Sequence, residues 1–422
     1  MAFHHETFTR LLEKKGVSVT QGVPSNTSRL ARRYGRRGDR AIHRSSTTAK
    51  SSSWRLRNRI AACSLWSAAL GFLLIATPLS AQSTNVLPDN YFYRGYPYGS
   101  GAAFHPVSEL INGTFGLLQI RSNWVTLDEV NWAQGLEVTW ESITHPLRTV
   151  DAYGREEFLT SEVFPAKLSW SGLQYVPNYS LHMIGGGARH RAFMEWYEAH
   201  GFAFPTLWAW GTTTLHAFGV EAFGHHSETR PTVDPVADML IFDPLGALLF
   251  SSDRVAGFFA NTLNMSIWSG QPMYNPILNS VENAGQNYGL HYFFSKNHRV
   301  GIFSYWGMSH LFGITVRGGK SFDWSVGVGG AVDELEEQDR GELSAFSARL
   351  KFDAGLFLHR HGSLLVSMHV SQAWTQLLRV NVYPGWLSPG GRRMGVYTGV
   401  RGDNVIVGLT FTGIPVGLSL SQ

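Results

Sequence analysis

Cysteine is almost missing: Cys63 is the only one in 422 residues. That excludes a disulfide framework and a thiolate metal site, and it leaves packing or sheet closure to hold the chain together. Charge is sparse as well, with Asp, Glu, Lys and Arg making up 16% of the chain. The net surplus of +4 belongs to one end. Residues 1–81 carry fourteen Lys/Arg against Glu6, Glu13 and Asp39, a net of +11, whereas the remainder carries 21 against 28, a net of −7. Binding nucleic acid requires a positive face on the folded part, so no nucleic acid is expected as a partner. GxSxG, HExxH and a correctly spaced P-loop are also lacking, because "GITVRGGKSF" is one residue too long and no helix follows it. A nucleophile elbow and a zincin helix are therefore unsupported, and no cofactor or metal is expected.

The basic end explains itself in "RLRNRIAACSLWSAALGFLLIATPLSAQS". Arg55, Arg57 and Arg59 precede an apolar run over 60–75, and Pro78-Leu79-Ser80-Ala81 offers a small-residue cleavage site, the pattern of a secretory signal peptide. The apolar run is shorter than the roughly 20 residues of a helical membrane span. Residues 55–81 are therefore expected to be a signal peptide cleaved after Ala81, and residues 1–54 a disordered preface or a mis-assigned start. Cys63 stands before the apolar run, so it is not a lipidation site.

Beyond Tyr288 the pattern has period two. "SAFSARLKFDAGLFLHR" places Leu350, Phe352, Ala354, Leu356 and Leu358 on one face and Arg349, Lys351, Asp353 and His359 on the other. The alternation recurs in "SLLVSMHVS", "QLLRVNVY" and "NVIVGLTFTG", with turn chemistry in "RGGKS", "HRHGS", "SPGGR" and "RGDN" between the runs. About nine or ten antiparallel strands fit, and a sheet of that size exposes its edges unless it curls and closes. Strand length, the exported leader and aromatics near strand ends favour a membrane barrel over a soluble β-rich domain. Tyr288, Tyr292, Tyr305, Trp306, Trp324, Trp374, Tyr383, Trp386 and Tyr397 are expected to form its headgroup girdle. Against this, the chain ends in Leu420-Ser421-Gln422 rather than in an aromatic residue.

The period shifts toward helix between 187 and 264. "GARHRAFMEWYEAHGF", "PTLWAWGTTTLHAFGVEAF", "PVADMLIFDPLGALLF" and "DRVAGFFANTLNM" read as four helices. The second is apolar enough to span a bilayer but is interrupted by Gly211, Thr212, Thr213, Thr214 and His216, which suits a packed helix better. Nearer the N-terminus, "GLEVTWESI" alternates Leu136, Val138 and Trp140 with Glu137, Thr139 and Glu141 and reads as a strand. "DELEEQDRGE" (333–342) reads as a solvated loop.

The expected fold is mainly β: an antiparallel transmembrane β-barrel of roughly 10–12 strands with an inserted plug of about four helices. Its parts are the leader (1–81), an N-terminal strand and loop region (82–180), the helical insert (181–286) and the barrel strands (287–422). The expected location is the outer membrane of a Gram-negative bacterium, with outer-membrane lipid and the barrel assembly machinery as partners. Two functions stay open. One is passage or binding of a small or lipidic molecule, or a structural role in the envelope; the other is a membrane-embedded hydrolase or acyltransferase.

The chemistry concentrates in "HAFGVEAFGHHSETRPTVDPVAD" (216–238). Asp234-Pro235, Asp243-Pro244 and Asp253 read as helix caps. Glu221 and His225 lie four apart on a helix and share a face, and a carboxylate in so apolar a helix needs a partner, with Arg189, Arg191, Arg230 and Arg254 as candidates. A buried ion pair, an acid/base centre and a metal site compete. Candidate catalytic residues are His182, Glu221, His225 and Asp238; candidate ligand-binding residues are Arg189 and His226.

Residues 178–288 resemble a functionally uncharacterised family of bacterial envelope proteins. The shared pattern is Asn-x3-His-x3-Gly, a helix pair with a buried Glu, then Asp leading to Pro-x-Gly, here Asn178, His182, Gly186, Glu221, Asp238, Pro244 and Gly246. The resemblance implies an envelope location and a barrel with a helical insert, and it brings no reaction or substrate.

Overall fold

The computed structural model describes residues 86–422 except 88, 165–176, 228–231, 296, 320–321, 341–342 and 388–392, so the expected signal peptide and Arg230 lie outside the described residues. The chain is mixed helix and sheet. Thirteen strands form one sheet: β1 (Ser266–Ile267), β2 (Met273–Asn275), β3 (Ser280–Glu282), β4 (Tyr288–Tyr292), β5 (Val300–Trp306), β6 (Ser309–Arg317), β7 (Phe322–Arg340), β8 (Leu343–Arg360), β9 (Ser363–Ser371), β10 (Leu378–Leu387), β11 (Met394–Arg401), β12 (Asn404–Phe411) and β13 (Gly417–Ser421). From β4 to β13 each strand pairs antiparallel with the next, which is the expected meander. β1 pairs with β4 at one edge, and β2 pairs parallel with β13 at the other.

One run of chain, 266–275, thus stitches both edges of the meander, and its contacts require the sheet to curl. Trp268 packs against Phe303 of β5 and Phe357 of β8, with ring centroids 6.0 and 5.3 Å apart. Gln271 donates from Nε2 to Asn381 Oδ1 of β10 at 3.1 Å and accepts from Thr410 Oγ1 of β12 at 2.6 Å. Laid flat, β5 and β12 would stand about 34 Å apart at roughly 4.8 Å per strand. Trp268 and Gln271 can be separated by no more than about 11 Å. The sheet remains open all the same, because its order begins at β1 and ends at β3 and no pairing joins those two among the described residues.

The two faces of the curl are inverted relative to a water-soluble core. Phe312, Val328, Phe352, Val407 and Leu418 point outward and are 65, 57, 51, 48 and 65% exposed, while Asp353, His359, Arg379, Asn381 and Ser419 point inward and are buried. The same parity corrects the girdle reading. Tyr288, Tyr305, Trp306, Trp374, Tyr383 and Tyr397 are buried, and only Trp324 and Trp386 of that set are exposed. In β5, Phe303 and Tyr305 point inward and alternate with outward Val300 and Ile302, whereas Trp306 shares the outward parity and, with its cross-strand partner Tyr288 of β4, is buried beneath Ala188 and Phe250. The charge run 333–340 is also corrected: it continues β7 rather than looping, and Asp333 is held by Arg349 Nη2 and Lys351 Nζ, each at 2.8 Å.

Helices precede the sheet: α1 (Gly99–Ala103), α2 (Pro106–Thr114), α3 (Trp132–Thr144), α4 (Pro146–Tyr153), α5 (Arg155–Phe158), α6 (Gly187–Ala199), α7 (Pro205–Gly224), α8 (Asp234–Ala237), α9 (Asp243–Phe250) and α10 (Asp253–Gly257). They outnumber the four expected. α3 overturns the strand reading of "GLEVTWESI". Its buried positions are Gly135, Leu136, Val138, Thr139 and Ser142, a helical stripe that the accidental alternation of Leu136, Val138 and Trp140 disguised. Gly135 is required there, because a Cβ would strike the Ala222 carbonyl of α7. α7 packs on α2, α3 and α6, and no single helix among the described residues is long and apolar enough to cross a membrane.

Inside the curl the groups meeting the sheet come largely from 99–123 and 266–287. Ser100 accepts from Leu364 N at 3.1 Å, Ile120 pairs with Trp374, and Asn112 bridges the 266–287 run. Asn112 Nδ2 donates to Gly270 O at 3.1 Å, and its Oδ1 accepts from Gly285 N at 3.0 Å. The helices from 187 to 262 meet the sheet at β4 and β5, where Ala188 and Phe250 pack with Tyr288 and Trp306. Replacing Asn112 by Leu leaves two buried backbone groups without partners and is expected to cost about 1–3 kcal/mol for each. Urea unfolding followed by tryptophan fluorescence checks this, and an unchanged midpoint would refute the bridging role.

Candidate functional site

Two π-helical stretches build the site. Asn178–Gly186 leads into α6, and Asp238–Phe242 joins α8 to α9. In the second, the backbone N–H of Asp243 bonds to the Asp238 carbonyl, one wide turn back, so the two carboxylates stand over the same side. Glycines let the first stretch approach. A Cβ on Gly246 would strike the Met183 carbonyl, and one on Gly187 would lie 2.6 Å from the Gly246 oxygen. Backbone-to-backbone packing of this kind places His182 between the acids: Nε2 is 3.3 Å from Asp238 Oδ2 and Nδ1 is 3.2 Å from Asp243 Oδ1.

An imidazole with both nitrogens on carboxylates is held as the cation. Burial opposes its charge, but Asp238, Asp243 and, behind them, Glu221 override that cost and lift His182 to about 10. Burial pushes Asp238 well above the ordinary carboxylate range. Glu221 itself pairs with His225, Oε2 to Nε2 at 3.1 Å, and Thr232 Oγ1 lies 3.2 Å from the same nitrogen. Among the described residues the partner of Glu221 is therefore His225, and none of Arg189, Arg191 and Arg254 pairs with it, Arg230 lying outside them. Arg191 is taken by Glu195 and Asp253 at 2.9 and 2.8 Å.

The structure brings His182, Glu221, His225 and Asp238 together and adds Asp243. The N-cap positions expected for Asp234, Asp243 and Asp253 are corrected, since each is the first helical residue and Val233, Phe242 and Ser252 are the N-caps; Asp243 holds His182 and Asp253 holds Arg191. The prolines at 235 and 244 do sit at the helix starts. Arg189 stands across Gly186 from Asp243 and donates from Nη1 to the Tyr288 hydroxyl at 2.9 Å. His226 lies elsewhere, with Nδ1 2.7 Å from the Phe223 carbonyl.

Three residues were not singled out by sequence. Glu109 of α2 is fully enclosed, accepts from Ser269 Oγ at 2.7 Å, and is pushed up to about 7 by burial, against the pull of that bond and of Arg189. Glu195 accepts from the backbone N–H groups of Tyr91, Phe92 and Tyr93 at 3.0, 2.9 and 2.8 Å, which pins the N-terminal segment to α6. Asn112 is the third. An isolated acid in an apolar helix, as in "PVSELING", was the available signal for Glu109.

Chemically the trio stores a proton and binds two helical turns to each other. Both nitrogens of His182 are engaged, and neither the cavity beside Trp268 and Asn283 nor the one beside His291 and His359 is lined by His182, Glu221, His225, Asp238 or Asp243. Among the described residues no group of three or more His, Cys, Asp or Glu is arranged to hold a metal ion. Comparison with protein-family models, with curated proteins and with solved structures finds no match to this chain.

Because the folded-state value of His182 is raised from 6.5 to about 10, its contribution to stability is complete below the ordinary histidine value and is lost as pH rises through about 10. Thermal unfolding between pH 7 and 10 should show a falling midpoint in the parent, and His182→Gln should lack that part of the fall. His182→Ala, which leaves the carboxylates uncompensated, is expected to cost about 3–5 kcal/mol at neutral pH. A variant as stable as the parent would refute the arrangement.

Proposed function

We propose that the chain is an outer-membrane protein whose curled sheet crosses the bilayer as a β-barrel, with a structural role in the envelope or a role in binding or passing a small or lipidic molecule. The observation that carries this reading is the inverted polarity of the sheet. Apolar side chains of β5 to β9, β12 and β13 face outward, among them Leu356 at 37% and Phe312 at 65% exposed, while Asp353, Arg379 and Asn381 face inward and are buried, Asn381 bonded to Gln271 and Asn283. In water such a surface would expose a contiguous apolar patch; against lipid it is the favourable arrangement. The secretory leader read from 55–81 supports export, and the resemblance over 178–288 supports an envelope location. The filled interior favours a closed, ligand-holding or structural barrel over an open pore, since the 266–287 run occupies the space between facing strands.

The hydrolase or acyltransferase alternative draws little support from the histidine cluster, because both ring nitrogens of His182 are engaged by carboxylates. Expressed with its leader, the protein is expected in the sarkosyl-insoluble fraction, with heat-modifiable gel mobility. Val326→Arg, on the outward face, should lower folding stability in lipid vesicles by about 2–4 kcal/mol, whereas the same change at a turn should be nearly neutral. Recovery as a freely soluble periplasmic protein would overturn the proposal.

A further inference from the structure

Where β4 begins and β5 ends, the helices meet the sheet from outside the curl. Tyr288 and its cross-strand partner Trp306 point outward, and Ala188 of α6 and Phe250 of α9 cover them there. Trp306 Nε1 donates to the Ser180 carbonyl at 3.2 Å, and a Cβ on Gly185 would strike the Tyr288 ring, so the 178–186 stretch rests on the same side. Further along these strands the cover ends, and Ile302 and Val300 of β5 are exposed on that face. The helical block therefore borders the outward apolar surface of the sheet, where a plug would lie within the curl.

α9 repeats the inverted polarity of its neighbour. Asp243, Gly246, Ala247 and Phe250 are buried, whereas Leu245, Leu248 and Leu249, at i, i+3 and i+4, form one exposed stripe. In the wide turn before it Asp238 is buried and Leu240 is exposed, and beyond the next bend Phe258 is exposed. These five side chains are each between 39 and 64% exposed. At about 200 Å² for a fully exposed large apolar side chain, they present roughly 480 Å², short of the roughly 800 Å² per partner that a stable protein interface needs.

Lipid sets no such minimum, because binding at a bilayer surface scales with the apolar area immersed. Asp234–Phe250 and Asp253–Thr262 together have the length and apolarity of a membrane span, but they are bent by 84°. Ser251, Ser252, Asp253 and Arg254 at the bend are exposed and polar, and Asp253 is tied to Arg191 at 2.8 Å. Carrying these groups into hydrocarbon is costly, which limits how deep the pair can lie. We infer that residues 240–258 form a membrane-interface collar: the leucine stripe of α9 seats among the acyl chains of the leaflet beside β4 and β5, with the polar bend at headgroup level. The inference rests on the membrane reading of the sheet and adds a lipid contact made by the helical block.

Electron paramagnetic resonance of nitroxide labels tests this in the Cys63→Ser protein, reconstituted in vesicles of phosphatidylethanolamine and phosphatidylglycerol. Labels are placed singly at Leu248→Cys on the stripe and at Val326→Cys on the outward face of β7, and are relaxed by oxygen, which concentrates in lipid, or by a water-soluble nickel chelate. Oxygen should relax both labels several-fold more than the chelate does. A label at 248 in water while the one at 326 is in lipid would overturn the inference and leave the membrane reading of the sheet intact. Both labels in water would overturn the two together. A label at 248 shielded from both agents would mean that a second copy or another protein covers the stripe, and it too would overturn the inference. Leu245→Cys, on the same stripe, decides the matter if Leu248→Cys does not fold.

Discussion

The structure depends on satisfying polar groups inside a curled sheet. A run of chain threaded through such a space carries its own backbone donors and acceptors, and each one buried without a partner costs more than most side-chain contacts return. Residues 266–287 meet this demand with amides. Asn283 donates to the Gln271 carbonyl and to Asn381 Oδ1 at 3.0 and 2.7 Å, and Asn381 returns a bond to Asn283 at 3.2 Å. Gln119 reaches in from the helical side, donating to Val281 O at 2.9 Å and accepting from Asn283 N at 2.8 Å. Asparagine and glutamine suit the task because each supplies donor and acceptor together without a charge. The curl, the stitching of both sheet edges and the seat of α2 all follow from this network.

The helical block solves a different problem with charge. Helices packed through glycine at 186, 187 and 246 bring backbones so close that side chains at the crossing have little freedom, and the wide turns on either side aim His182, Asp238 and Asp243 at one point. A buried ion group of this kind is weak evidence for net stability, since desolvation opposes the attraction. It does fix register: sliding either stretch by one residue would leave a buried carboxylate unpaired. Gly186, Gly187 and Gly246 and the acids Asp238 and Asp243 thus have one physical reason, the close crossing that they jointly permit and lock.

Much of this was legible in the residues. Alternation anticipated the antiparallel meander, at about nine or ten strands where β4 to β13 form it, and an i, i+4 pair and a spacing pattern named Glu221, His225, His182 and Asp238, which the structure brings together. What failed did so for identifiable reasons. Leu136, Val138 and Trp140 alternate by accident, and only the contact of Gly135 with α7 reveals the helix. Asp243 satisfies the local rule for a cap before proline, yet His182, 61 residues earlier, takes its carboxylate instead. Local grammar cannot see a partner so far away. The inward aromatics were misplaced because a strand's pattern states which residues share a face and is silent on which face is inside.

That last ambiguity bears most on function. Leu350, Phe352 and Leu356 oppose Lys351, Asp353 and Phe357 along β8, and either set could in principle be turned inward. Two groups decide the matter together. Asp353 is wholly buried with His369 3.8 Å away, and Arg379 is buried beside Trp374, so charge and imidazole lie on the concave side. A chain that buries these while leaving Phe312, Phe352 and Leu418 more than half exposed reverses the preference that drives folding in water. The reversal is stable only if the convex side meets a medium in which apolar side chains lose nothing by exposure. A bilayer, as proposed above, is such a medium for the outward side chains of β5 to β9, β12 and β13, whereas Tyr288 of β4 and Trp306 of β5 are covered by the chain's own Ala188 and Phe250.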